Sequence, residues 1–68
     1  MAKTETIGQR IRAARVRAGL SQEMLARRAD LSNQTISNME RGESKATVET
    51  LQALAPILGT TVGALLGE

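Results

Sequence analysis

Apolar residues recur three and four apart along this chain rather than at every second position, a period that predicts helices and no sheet. Ile7, Ile11, Ala14 and Ala18 fall on one stripe, Met24, Leu25, Ala26 and Ala29 on a second, and Ile36 with Met39 on a third. Leu51, Leu54 and Leu58 form a fourth, and Val62, Leu65 and Leu66 a short last one. The residues between the stripes supply the matching starts and stops. Thr6 and Gln9 have the spacing of a capping box. Ser21 and Ser32 can each accept a hydrogen bond from a free backbone N–H of a first helical turn. Each follows a leucine, Leu20 or Leu31, placed to pack on Leu25 or Ile36 as a hydrophobic staple. Thr47 and Thr61 can cap the last two helices, with Glu49 near the positive N-terminal end of the fourth. Gly19, Gly42 and Gly59 stand where left-handed helix ends are expected.

Five helices follow, the second over about 22–29 and the third over about 33–41. Only a few residues around Asp30 separate these two, which leaves room for a tight turn and nothing longer. Asp is among the residues that tolerate a left-handed backbone. Gly8 should cost roughly 1 kcal/mol relative to Ala, tolerable in a first turn. Pro56 removes one helical hydrogen bond and crowds the carbonyl of Gln52, so a kink or an early break of the fourth helix is expected there. Val16 falls off the apolar stripe and reads as an exposed aliphatic or a partner contact. Residues 1–5 are polar and are expected to be a flexible N-terminus, leaving 6–68 as the folded domain.

Sixty-eight residues make one small domain, and a chain this size buries only about 60% of its unfolded surface. There is no Cys, no His and no aromatic residue, so the core must be aliphatic and no disulfide or Cys/His metal site can form. No cofactor and no metal are therefore expected. A nucleophile–base pair cannot be assembled from the usual residues either, which argues against an enzyme. No apolar run is long enough to span a bilayer, and the N-terminus lacks the apolar centre of a signal peptide, so a cytoplasmic protein with no membrane partner is expected.

Formal net charge is only +2, yet residues 1–28 carry seven Lys and Arg against two Glu, whereas residues 29–68 carry two against five acids. A basic first half suits a phosphate-facing surface, and it also suits ordinary solvated helices. The third helix narrows the choice. With Ile36 and Met39 turned inward, Asn33, Gln34, Ser37, Asn38 and Arg41 fan over its other side, which carries no acid. Amides, a hydroxyl and a guanidinium are the groups that match base edges and phosphates. Gln34 lies nearest the middle of that face.

At these residues the sequence resembles the Cro and phage-repressor type of helix-turn-helix domain, including its xenobiotic-response-element-like bacterial regulators. The likeness runs from Ile7 to Leu66. It comprises I-x-x-x-I-R-x-x-R at Ile7–Arg15, G-L-S-Q-x-x-L-A at Gly19–Ala26, L-S-x-x-T-I-S-x-M-E-R-G at Leu31–Gly42 and L-x-x-L-A-x-x-L-G at Leu51–Gly59. The resemblance implies an all-α, five-helix bundle of the lambda-repressor-like type, with helices 2 and 3 forming the helix-turn-helix. It implies a prokaryotic transcriptional regulator, a repressor by preference, that binds double-stranded DNA as a homodimer on a palindromic operator. Asn33, Gln34, Ser37 and Asn38 would then contact bases, and Arg15, Ser21, Gln22, Thr35, Arg41 and Lys45 would contact phosphates. Gln22 would also buttress the recognition helix, and Arg15 with Glu40 would form an ion pair between the first and third helices.

That pair has two readings: an exposed ion pair worth under ~1 kcal/mol, or a carboxylate that aims Arg15 at a phosphate. The chain departs from the family pattern in four places. Asp30 replaces the usual turn glycine, Ala46 replaces a common proline, Pro56 interrupts the fourth helix, and Glu43 sets a negative charge against phosphate affinity. Glu43 and the small net charge favour the alternative function, a protein-interaction module such as an antitoxin or adaptor on the same fold.

Overall fold

The computed structural model describes residues 5–68. Residues 1–4 of the segment expected to be flexible lie outside the described residues. Five helices follow in order: α1 (Ile7–Arg17), α2 (Gln22–Ala29), α3 (Asn33–Arg41), α4 (Val48–Leu58) and α5 (Val62–Leu66), with no strand among the described residues.

Local chemistry fixes every boundary. Thr6 and Gln9 complete the capping box on α1, and Ser21, Ser32, Thr47 and Thr61 each accept a hydrogen bond from the third residue of the helix that follows. All five helices end alike, with paired bonds reaching back over the last turn, such as Leu31 N to Ala26 O at 2.8 Å and Thr60 N to Ala55 O at 2.9 Å. Such an end needs one residue in the left-handed region. Four of the five positions are glycine; the other is Asp30, at φ 59.

Ile11, Leu25, Ile36, Leu51, Leu54 and Leu65 are the largest fully buried side chains, one or two from each helix. They bring α3 against both α1 and α2, α4 beneath α2, and α5 into the angle between α4 and α1. Leu20 is buried in this core and Leu31 packs half-buried against it, on the side where the staples were expected. The result is a third helix gripped from two sides.

Four expectations need correction. Ala18 lies beyond the end of α1 and is exposed, because Gly19 turns the chain away before the stripe completes. Met24 is 38% exposed; in the first turn of α2 it flanks the buried Leu25 and Ala26 instead of joining them. Pro56 does not break α4, which runs through it to Leu58. The proline is exposed and lies in the last turn, and the chain reversal at Gly59 closes the helix in spite of the lost bond. Gly8 is not merely tolerated. A Cβ there would fall 2.2 Å from the carbonyl oxygen of Met39 and 2.8 Å from that of Glu40. The absent side chain is what lets α1 lie against the last turn of α3.

Candidate nucleic-acid interface

The close approach at Gly8 brings Arg15, two turns along α1, over the end of α3. Arg15 Nε donates to Glu40 Oε2 at 2.6 Å, Nη2 donates to Oε1 at 3.1 Å, and Nη1 donates to the Leu20 carbonyl at 2.8 Å. Gln22 Nε2, from the first turn of α2, donates to Glu40 Oε1 at 3.0 Å. One carboxylate therefore ties three helices together. The Glu40 side chain is 3% exposed and that of Arg15 12%, so the exposed, weak ion pair is not what the structure contains. A charge buried this deeply is tolerable only if its partners are complete, and no buried side-chain N or O among the described residues lacks one.

This knot forms the floor of an open cleft of about 230 Å³, lined by Arg12, Arg15, Gln22, Ser37, Glu40 and Arg41. Arg12 was given no role by the sequence. Its signal was the spacing I-R-x-x-R, which puts Arg12 one turn before Arg15 on α1.

On the outer side of α3, Asn33 and Gln34 are exposed and Ser37 and Asn38 half-buried. The face is internally bonded. Gln34 Nε2 donates to Asn38 Oδ1 at 2.9 Å, Arg41 Nη2 donates to the same oxygen at 2.8 Å, and Arg41 Nη1 donates to Ser37 Oγ. Arg41 Nη2 also donates to Glu43 Oε1 at 3.1 Å. That hydrogen bond, together with the positive charge, holds the Glu43 carboxyl below its ordinary range and raises Arg41 in turn.

The remaining candidates are more scattered. Ser21 Oγ accepts from Met24 N, and Thr35 is half-buried with its hydroxyl 2.7 Å from that of Ser32. Lys45 stands apart from the cleft, on a separate groove shared with Thr6, Ile7, Gly42 and Ala46.

The model of the helix-turn-helix family matches residues 11–65. The chain belongs to the helix-turn-helix family of Cro and phage repressors. It is 41% identical over 63 residues to the immunity repressor protein of Bacillus phage phi105, an alignment that covers 93% of this chain and 44% of that protein. The chain thus spans less than half the length of that relative. Among solved structures, it is similar to the P22 c2 repressor in complex with a synthetic operator. That match has 36% identity and a TM-score of 0.86, and covers 93% of this chain and 96% of the other. It is also similar to SinR, a master regulator of biofilm formation, in complex with DNA. There the identity is 30% and the TM-score 0.83, with 88% of this chain and 97% of the other covered. No helix among the described residues is long and apolar enough to cross a membrane.

Proposed function

We propose that this helix-turn-helix domain binds double-stranded DNA sequence-specifically as a transcriptional regulator of the repressor kind. The folded region 6–68 is the binding domain and α3 is the helix that enters the major groove. One observation carries the reading: an acid-free, outward face of amides and a hydroxyl stands on a helix whose inner side, Ile36, Met39 and Glu40, is completely gripped by α1 and α2. Base readout demands that rigidity, since donors and acceptors must meet base edges within hydrogen-bond geometry. Asn33, Gln34, Ser37 and Asn38 face the bases. Ser21, Gln22 and Thr35, at the N-termini of α2 and α3, face the flanking phosphates. Arg12 and Arg15 extend that contact along the cleft, and Lys45 reaches a phosphate from the far side of α3. Two copies on a palindromic operator would place two recognition helices about one helical turn, ~34 Å, apart. The site of action is nucleoid DNA in a prokaryotic cytoplasm.

The test is a pair of titrations. Duplexes selected from a random library are compared with scrambled duplexes of equal length, for the native chain and for Gln34→Ala. Losing an amide that reads a base should reduce affinity for the selected duplex about 5- to 100-fold and leave the scrambled duplex nearly unchanged. Equal affinity of the variant for the selected duplex removes Gln34 from base readout. Absence of binding to any duplex at low salt would favour a protein-interaction module instead.

A further inference from the structure

The chain reversal at the end of α3 decides where Glu43 lies. Gly42 takes φ 78, and Glu43 N then donates to the Asn38 carbonyl at 2.8 Å. That bond folds residue 43 back over the last helical turn, so its carboxylate stands beside Arg41 instead of out in the loop. A carboxylate at a helix C-terminus meets the negative end of the helix dipole. What holds it there is Arg41, through an N···O distance of 3.1 Å. The other consequence falls on Arg41 itself. Its guanidinium is spread over Glu43, Asn38 and Ser37 at once, folded along α3. Asn38 Oδ1 takes one bond from Arg41 and one from Gln34. With that oxygen committed to two bonds, the Nδ2 donors are what Asn38 has left to offer a base.

Resting on the DNA-binding reading above, we infer that Glu43 withholds Arg41 from the DNA backbone and makes it the positioning residue of the base-reading side chains Ser37 and Asn38. Arg41 then governs selectivity between sequences, and its charge, already neutralised by Glu43, adds no phosphate contact. This departs from the phosphate role that the family resemblance implies for Arg41. It arises from Glu43, a residue foreign to the usual loop. The pair is exposed, so neither residue is needed for folding, and helical circular dichroism should be unchanged in the variants.

The experiment measures affinity against salt concentration for the native chain, Arg41→Ala, Glu43→Gln and the double variant, each on a selected and a scrambled duplex. A side chain that neutralises one phosphate contributes about 0.9 to the slope of log affinity against log salt. The double variant, which removes both charges of the pair, should leave the slope and the scrambled-duplex affinity unchanged while lowering selected-duplex affinity about tenfold. Glu43→Gln should free Arg41, steepen the slope by about 0.9 and strengthen both duplexes. Arg41→Ala alone should weaken both duplexes, because it leaves the Glu43 carboxylate without its partner. A slope that falls by about 0.9 in the double variant puts Arg41 on a phosphate and overturns the inference. A double variant that binds the scrambled duplex more tightly than the native chain reduces Glu43 to simple repulsion and overturns it as well. If the native chain binds no duplex, the DNA-binding reading fails and takes this inference with it. The slope results, by contrast, can overturn the inference while DNA binding stands.

Discussion

Replacing Gly8 with alanine sets two effects of opposite sign against each other. Within a helix, Gly→Ala ordinarily stabilises by about 0.5–1 kcal/mol, because glycine loses more backbone freedom on folding. Here the added methyl would sit 2.2 Å from the Met39 carbonyl oxygen and 2.8 Å from that of Glu40. A relaxed carbon–oxygen contact is about 3.3 Å, so α1 must withdraw from α3 by about 1 Å. The obstacle is backbone, which cannot swing aside as a flexible side chain can. With a backbone atom at so short a distance the overpacking cost falls in the upper part of its usual range, about 2–3 kcal/mol, leaving a net loss of about 1–2 kcal/mol after the helical gain. A domain of this length has only about 3–5 kcal/mol in total. With a urea slope of about 1 kcal/mol per molar, the midpoint of unfolding by circular dichroism should fall by about 1–2 M. Gly63→Ala is the matched control, since its Cβ would come no closer than 3.8 Å to Glu68 Oε1; it should raise the midpoint. A Gly8→Ala midpoint equal to or above that of the native chain would refute the close approach of α1 to α3.

Glu40→Gln removes the charge that Arg15 and Gln22 share and leaves Arg15 underpartnered in a mostly buried position. Breaking a buried pair costs about 3–5 kcal/mol; the cleft gives Arg15 partial access to water, so a loss near about 3 kcal/mol is expected in thermal unfolding, and a loss under about 1 kcal/mol would mean that the pair is solvated. Asp30→Gly relieves a non-glycine residue at φ 59 and removes a negative charge from the C-terminal end of α2. It should stabilise by about 0.5–1 kcal/mol, after the extra backbone entropy of glycine is deducted, and an unchanged or lower melting temperature would contradict that.

Helix limits were legible in the sequence because caps are local: Ser21, Ser32, Thr47 and Thr61 act within three residues of themselves, and Gly42 and Gly59 end their helices through bonds that span one turn. Stripe membership was less so. Periodicity assigns a side to Met24 and Ala18 but does not say how far a neighbouring helix extends over it, and both prove exposed. Gly8 was misjudged for a related reason. Propensity scores a glycine by its own helix, whereas here the decisive atoms belong to residues 39 and 40. The pairing of Arg15 with Glu40 was expected from the family pattern, but its burial depends on three helices meeting at one carboxylate. Arg41 and Glu43 lie two apart in sequence and were read separately, as a phosphate contact and as a charge opposed to phosphates. Only the reversal at Gly42 shows that one neutralises the other.

Side-chain amide resonances report most directly on whether the outer face of α3 meets DNA. In a nitrogen–proton correlation spectrum titrated with a selected duplex, the side-chain NH2 signals of Asn33, Gln34 and Asn38 should shift, together with the backbone amides at the starts of α2 and α3. Signals of Leu54 and Leu58, buried in the core on α4, should stay in place. Shifts confined to α4 and α5, with the three amide groups unmoved, would contradict the assignment of α3 as the reading helix.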